Sequence, residues 1–159
     1  MTASEIEHEI KSVAYDHADS TMLRAAQRAE IAAAYGGEET EPGEPLSAAD
    51  AALFLVAYDD GIPAGCGGLR ILEGGDAEVK RMYVTPSRRG TGVAPDVLHA
   101  LEAAALELGI ARLVLETGDR LKAAIRFYER EGYSRIPNFG AYVDAPFSFC
   151  YAKTLLPAS

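Results

Sequence analysis

The chain has 159 residues, of which 48% are hydrophobic and 25% are charged. These values are typical of a globular protein that builds one core of its own, so we expect a single domain over residues 1–159. The net charge of -9 argues against general nucleic-acid binding, which requires a basic surface to neutralise phosphates. An acidic surface favours a cationic or amine-bearing partner to a small degree.

The cysteine content and the hydropathy of the chain bear on its location. Cys66 and Cys150 both stand in apolar, strand-like surroundings, and two cysteines do not make a disulfide framework. A basic region followed by an apolar stretch is missing at the start of the sequence, and no apolar run reaches the length that a membrane span requires. We therefore expect a cytoplasmic protein that does not enter a membrane.

The first fifty residues predict a strand, a helix and a loop. Alternating apolar and polar residues over 6–12 predict a strand, and apolar residues at helical spacing from Met22 to Ala33 predict a helix that ends at two glycines. Residues 38–49 are acidic and contain prolines. This stretch is interpreted as a solvated connection, with a lid over a substrate mouth as the alternative.

Three compact apolar runs follow and predict an antiparallel meander. The runs cover residues 53–58, 63–72 and 77–85, and glycine-containing turns of a few residues separate them. Connections as short as these join antiparallel strands, because a parallel pair requires a long crossover.

The second half of the chain alternates helices with strands. The predicted elements are an apolar helical stripe over 97–108, a strand over 112–117, a helix over 121–128 capped by Asp119, and strands over 133–136 and 147–153. A strand, a crossover helix and a second strand usually form a right-handed parallel unit. The sequence therefore predicts one α/β domain with a mixed sheet.

A glycine-rich turn lies between the third strand of the meander and the first helix of this second half. Its sequence is Arg-Arg-Gly-Thr-Gly-Val-Ala, residues 88–94. A turn in this position directs backbone N–H groups and the positive end of a helix dipole at one point, and arginine adds a charge suited to phosphate. The pattern predicts a pyrophosphate site. A dinucleotide-binding fold is the rival interpretation, but its fingerprint requires a third glycine where Pro95 stands.

Two stretches resemble the signatures of the GNAT N-acetyltransferase superfamily. Residues 77–94 resemble its acetyl-CoA motif, in which Gln or Arg is followed after two residues by Gly and after one more by Gly or Ala; Arg89, Gly92 and Ala94 satisfy it. Residues 124–133, Ala-Ile-Arg-Phe-Tyr-Glu-Arg-Glu-Gly-Tyr, are similar to its second signature. The resemblance covers about residues 50–155. It implies an α/β (α+β) fold with a mixed, mostly antiparallel central sheet, a splayed pair of parallel strands and flanking helices.

The resemblance also implies how acetyl-CoA would bind. Its diphosphate would rest on the turn, and its pantetheine arm would lie along the preceding strand in the gap between the splayed strands. The implied contacts are Arg89, Gly90, Thr91, Gly92, Val93 and Ala94 for the diphosphate, and Met82, Tyr83 and Val84 for the arm. A backbone N–H near Met82 would stabilise the oxyanion of the transfer. Contacts to the turn should end at Ala94, because Pro95 has no N–H. Leu121 replaces an asparagine that many relatives have, which removes one hydrogen bond to the cofactor.

Two residues are candidates for the acid and base chemistry. Tyr128 matches the family's proton donor to the departing thiolate, and its ordinary pKa near 10 keeps it protonated at neutral pH. The alternative is a core tyrosine. Glu78 stands where one branch of the family has its general base; the alternative is a strand residue paired with Lys80 or Arg81. Strand alternation predicts Glu78, Lys80 and Met82 on one face unless a bulge intervenes.

The acceptor is less well specified by the sequence. Arg70, Arg81 and Tyr142 are candidates to line its site, with ordinary salt bridges as the alternative. The three histidines are scattered, so we expect no metal site. The expected reaction is acetyl transfer from acetyl-CoA to a primary amine of a small molecule within a ternary complex. A protein Nα- or lysine acetyltransferase and a non-catalytic acyl-CoA-binding module remain alternatives, and a homodimer is compatible with the family.

Overall fold

The computed structural model describes residues 8–37 and 45–155. Ten helices and strands make up the fold within these ranges, and none of the helices is long and apolar enough to cross a membrane. In chain order they are β1 (Glu9–Ser12), α1 (Ala18–Ala34), β2 (Leu53–Asp59), β3 (Ile62–Ile71), β4 (Ala77–Val84), α2 (Val93–Glu107), β5 (Arg112–Gly118), α3 (Lys122–Arg130), β6 (Ser134–Ile136) and β7 (Ser148–Thr154). Residues 6–7 of the predicted first strand and 38–44 of the predicted acidic loop lie outside the described residues.

The strands form one sheet in the order β1-β2-β3-β4-β5-β7-β6. Every neighbouring pair is antiparallel except β4 and β5, which run parallel and are joined through α2. The predicted meander is β2-β3-β4, and the predicted mixed, mostly antiparallel sheet is confirmed. A crossover helix was the expected connection for the parallel pair.

The parallel strands β4 and β5 separate after two residues. Only Ala77 pairs with Leu113 and Glu78 with Val114, although β4 continues to Val84 and β5 to Gly118. The two strands therefore form a fork that is closed at its start and open at its end, as the family resemblance implied. A ligand can enter the open end between the strands.

A β-bulge at Arg81 reverses the faces of β4 three residues beyond Glu78, its last residue paired with β5. Cys66 pairs with Tyr83 and Gly68 with Lys80, so the single residue between them on β3 faces two on β4. Arg81 absorbs the extra residue in a left-handed conformation, with φ 60°. The predicted regular alternation was wrong, and the alternative with a bulge is confirmed, since Met82 packs on the core face opposite that of Lys80.

Helices cover both faces of the sheet. Helices α2 and α3 pack on one face over the larger core, where Val97, Leu98 and Leu101 are fully buried. Helix α1 covers the other face through Leu23, which packs with Phe54 of β2. Burying these apolar side chains supplies most of the driving force for the layered packing.

The start of α3 differs from the prediction. Asp119 was expected to cap this helix, but Leu121 precedes its first turn and provides no side-chain cap. The Asp119 carboxylate instead accepts a hydrogen bond of 3.0 Å from the Tyr35 hydroxyl. This bond ties the end of α1 to the loop at the open end of the fork.

Candidate active site

Two cavities meet at the open end of the fork. The larger, of about 770 Å³, extends from β4 past the glycine turn to α3. The smaller, of about 150 Å³, lies between α1, the ends of β4 and β5, and the segment that precedes β7. The residues that line both cavities are Gln27, Ile31, Met82, Leu121, Ala124 and Tyr128. Tyr128 therefore belongs to the wall between them.

The glycine turn leads directly into the start of α2. Gly90 and Gly92 adopt left-handed conformations with φ 80° and 94°, which cost glycine little and other residues about 1–2 kcal/mol. The first bond of the helix joins the Asp96 N–H to the Gly92 carbonyl at 3.2 Å. The N–H groups of Val93 and Ala94 precede it and are available to an anion.

Arg89 stands at the end of β4 beside the larger cavity. Its Nε donates to the Val84 carbonyl oxygen at 3.1 Å, and its Nη2 donates to both carboxylate oxygens of Glu30 at 2.9 and 2.7 Å. The guanidinium is thus held against the strand by α1. The sequence identified Arg89, but it gave no signal for its partner Glu30, which lies 59 residues earlier in the chain.

The larger cavity has a basic rim in an otherwise acidic protein. Its cationic lining residues are Arg88, Arg89, Arg120, Lys122 and Arg130. Among the described residues that line it, Glu30 is the one carboxylate. A net positive rim suits a ligand with several phosphates. Sequence reasoning missed Arg120, Lys122 and Arg130, although two of them flank Leu121, a position that the resemblance had marked.

The end of β4 lines the larger cavity with Met82, Tyr83 and Val84, the residues expected along the pantetheine arm. The Met82 carbonyl oxygen accepts a hydrogen bond of 2.8 Å from the Gln27 side chain. This bond holds α1 across the open end of the fork. Gln27 was not identified from the sequence, because α1 carries no motif.

Tyr128 is buried, with 7% of its surface exposed. Its ring packs against Phe127 and Tyr133, with centroids 5.2 and 5.8 Å away. Its hydroxyl makes no hydrogen bond with another described residue. Burial raises the pKa of Tyr128 above its usual value, and the Glu116 carboxylate raises it further. The phenol is therefore protonated at neutral pH and has a proton to donate.

Glu78 lies at the closed end of the fork, away from Tyr128. It is 2% exposed, and its Oε2 accepts a hydrogen bond of 2.7 Å from the Tyr142 hydroxyl, which itself accepts one of 3.1 Å from Lys80. Arg70 approaches the other carboxylate oxygen at 3.6 Å. These contacts match the alternative in which Glu78 pairs with Lys80.

The residues predicted for the acceptor side are therefore divided between two places. Glu78, Arg70 and Tyr142 line a third cavity of about 430 Å³ and neither of the two that Tyr128 lines. Arg81 lines the small cavity next to Tyr128. The structure thus places Arg70 and Tyr142 beside Glu78 and apart from Arg81. The physical reason is that the fork closes between Glu78 and Val114, and the bulge then turns the later residues of β4.

The small cavity contains charged residues that sequence reasoning missed. Glu116 of β5 and Arg28 of α1 line it together with Lys80 and Arg81. Ser148 donates a hydrogen bond of 2.6 Å to Glu116 Oε2 and so orients the carboxylate. The position of Glu116 near the end of a predicted strand was the one available signal. Within residues 8–37 and 45–155, no three or more His, Cys, Asp or Glu side chains are grouped to hold a metal ion.

Comparison with known proteins agrees with this geometry. The profile of the Acetyltransferase (GNAT) family matches residues 21–133. The chain belongs to this family. It is accordingly an N-acetyltransferase that uses an acyl-CoA donor, as the resemblance of its two motifs implied.

Three similar proteins come from Azospirillum brasilense, Klebsiella pneumoniae and Thermoplasma acidophilum. The IAA acetyltransferase of Azospirillum brasilense is 39% identical over 103 residues, which are 64% of this chain and 67% of the relative. A Klebsiella pneumoniae protein described as an acyl-CoA N-acyltransferase is 30% identical, with a TM-score of 0.82 over 96% of this chain and 100% of the other. The PaiA N-acetyltransferase of Thermoplasma acidophilum, crystallised with coenzyme A, shares the fold at 19% identity, with a TM-score of 0.69 over 93% and 99% of the two chains.

Proposed function

We propose that this GNAT enzyme transfers the acetyl group of acetyl-CoA to a primary amine of a small molecule, in a ternary complex, with Tyr128 as the proton donor. The observation that carries the proposal is the position of Tyr128 in the wall shared by the two cavities. A donor in one cavity and an acceptor in the other would bring their reacting atoms together at this wall. Direct transfer requires such proximity.

The larger cavity suits acetyl-CoA. In this proposal the diphosphate binds to the N–H groups of the turn, residues 89–94, and the basic rim holds the remaining phosphate. The pantetheine arm lies along Met82, Tyr83 and Val84 in the open fork. A backbone N–H near Met82 would then stabilise the negative charge that develops on the acetyl oxygen.

The chemistry requires one new bond and one broken bond. The amine nitrogen attacks the thioester carbon, a C–N bond forms, and the C–S bond breaks as the tetrahedral intermediate collapses. Tyr128 gives its proton to the departing thiolate, which leaves as the free thiol of coenzyme A. The proton lost by the nitrogen as the amide forms restores the tyrosine.

The size of the second cavity supports a small acceptor. Its volume of about 150 Å³ is several times the roughly 30 Å³ that one water molecule occupies in the liquid. That volume favours a metabolite over a folded protein surface. Tyr128 and the open fork are features of a working transferase, which argues against a non-catalytic acyl-CoA-binding module.

The proposal is tested by binding and by turnover. Saturating acetyl-CoA should raise the melting temperature, because a ligand of the native state stabilises it. Release of free thiol should then depend on the amine in a screen of amino acids, polyamines, aminated metabolites and N-terminal peptides. IAA belongs in the screen, because the Azospirillum brasilense relative is named for it. An unchanged melting temperature, or thiol release that no acceptor increases, would contradict the proposal.

A further inference from the structure

We infer that the acceptor is a small amino carboxylic acid, whose ammonium group binds at Glu116 and whose carboxylate binds at Arg28. This inference rests on the proposed function and names the substrate class of the same site. Two features of the small cavity carry it, namely the distribution of its charges and its volume. Glu116 and Arg28, the two residues that would bind the acceptor, belong to neither family signature.

Glu116 is placed to receive the amine. It lies on β5 two residues beyond Val114, the last residue of that strand paired with β4, so it stands where the fork is already open. It is the one carboxylate among the described residues that line the small cavity, which it shares with Tyr128. The hydrogen bond from Ser148 fixes one of its oxygens. A half-buried, oriented carboxylate attracts an ammonium group and can accept its proton.

Arg28 is placed to receive an anion. It lies on α1, lines the small cavity and does not line the cofactor cavity. Its guanidinium forms no hydrogen bond or ion pair with another described residue. A guanidinium presents forked donors that match the two oxygens of a carboxylate. Since it is separate from the basic rim, Arg28 is available to the acceptor and not to the phosphates of the donor.

The charges of the small cavity favour an acceptor with a negative group as well as an amine. Arg28, Lys80 and Arg81 line the cavity against the single carboxylate of Glu116. The charge of Lys80 is offset by Glu78, which lies 3.9 Å away, and Arg81 makes a contact of its own. Arg28 is therefore the charge that an anionic group of the acceptor would meet. A simple amine or a polyamine would add to this positive charge, whereas an amino acid brings one charge of each sign.

Glu116 completes the proton balance of the reaction. It takes one proton from the ammonium group, which leaves a neutral amine with a free electron pair for the attack. The carboxyl group returns that proton to solvent after product release. Tyr128 gives one proton to the thiolate and regains one from the nitrogen. The overall reaction therefore converts an ammonium acceptor and acetyl-CoA into an N-acetyl product, free coenzyme A and one proton.

Matched acceptors test the carboxylate directly. Leucine is compared with isopentylamine and leucinamide, and methionine with 3-(methylthio)propylamine and methioninamide, by thiol release and by the mass of the product. We expect kcat/KM to be at least about tenfold higher for the acids, in line with the strength of a charge-assisted hydrogen bond. Equal values for the acids and for the matched amines and amides, which lack the carboxylate, would overturn the inference.

Variants of Arg28 locate the binding group. Arg28→Ala should raise KM for the amino acid by about tenfold and leave KM for the matched amine and the affinity for acetyl-CoA unchanged. Arg28→Lys should restore part of the loss. Arg126→Ala is the control, because Arg126 is exposed on α3 and lines none of the three cavities. An equal rise in KM for the acid and the amine would contradict a contact between Arg28 and the carboxylate.

A Glu116 variant tests the other end of the acceptor. Glu116→Gln preserves the shape of the side chain and should lower kcat by about 100-fold, most strongly at low pH, where the acceptor is protonated. An unchanged kcat would remove Glu116 from this role. Failure of the proposed function looks different, because then acetyl-CoA would not stabilise the protein and no amine would increase thiol release.

Discussion

Glu78 and Glu116 stand on the two arms of the same fork and have opposite surroundings. Glu78 lies at the closed end, where β4 pairs with β5, and Tyr142, Lys80 and Arg70 surround its carboxylate. Glu116 lies at the open end, is held by Ser148, and lines a cavity. Where the strands pair, side chains of the protein itself occupy the space around the carboxylate. Where they separate, the carboxylate borders a cavity.

Glu78 and Glu116 show that position on a strand does not by itself identify a general base. Glu78 has the sequence position of a base in one branch of the family, yet its carboxylate belongs to a buried charge network. Networks of this kind contribute to structure because each charge compensates another in a medium of low dielectric constant. We therefore propose a stabilising role for Glu78 and a catalytic role for Glu116, and the two roles can be tested separately.

Removing the carboxylate at the closed end should have the largest effect on stability. Glu78→Ala leaves the positive charges around it without this partner, and breaking a buried pair in this way costs about 3–5 kcal/mol. Glu116 is only half-buried, so the same replacement there should cost less, about 1.5–3 kcal/mol, the range for hydrogen bonds to a charged group. Urea denaturation of the two variants measures the difference.

Equal losses of stability in the two variants, or a larger loss for Glu116→Ala, would contradict the structural role of Glu78. Turnover per folded molecule supplies the second half of this test. At a temperature where both variants are folded, Glu78→Ala should retain most of its turnover number. A greater loss of turnover for Glu78→Ala than for Glu116→Ala would return the role of base to Glu78.

A smaller effect is expected at the glycine turn. Gly92 and Gly74 both have φ 94°, so alanine at either position should cost about 1–2 kcal/mol of stability. The amide of Gly92 belongs to the proposed diphosphate site, whereas Gly74 lies in the remote turn between β3 and β4. Gly92→Ala should therefore weaken acetyl-CoA binding by about tenfold, the equivalent of one hydrogen bond, and Gly74→Ala should not.

Isothermal titration calorimetry on both alanine variants provides the measurement. The turn between β3 and β4 serves as the matched control, because alanine there causes the same backbone strain in open space. Equal affinities for acetyl-CoA in the two variants would place the diphosphate elsewhere than on the turn.

The sequence predicted the sheet because its signals are local. Apolar runs with glycine turns specify the meander, and a strand-helix-strand order specifies the parallel pair. The sequence predicted regular alternation in β4 and offered the bulge only as an alternative. The bulge depends on the pairing between strands, in which two residues of β4 face one residue of β3. No pattern within β4 itself indicates that pairing.

The candidate site likewise has parts that local sequence specifies and parts that depend on contacts between distant segments. The glycine turn and Tyr128 lie in continuous motifs, so a reading of the chain finds them. Gln27, Arg28 and Glu116 reach the same place from α1 and β5, and no spacing in the sequence links them. The proposed acceptor side is assembled by tertiary packing, whereas Arg70 and Tyr142, which the sequence offered for this role, line a different cavity.

The central claim is that the proton donor stands where the two cavities meet, and Tyr128→Phe tests it most directly. Tyr133→Phe is the matched control, since Tyr133 is equally buried beside it, donates its hydroxyl to Glu102 at 2.8 Å, and lines neither cavity. The measurement is kcat for the preferred acceptor together with the dissociation constant for acetyl-CoA. The account predicts that Tyr128→Phe lowers kcat by about 100-fold with its acetyl-CoA affinity preserved, while Tyr133→Phe leaves both nearly unchanged. A kcat for Tyr128→Phe equal to that of the unmodified enzyme would contradict it.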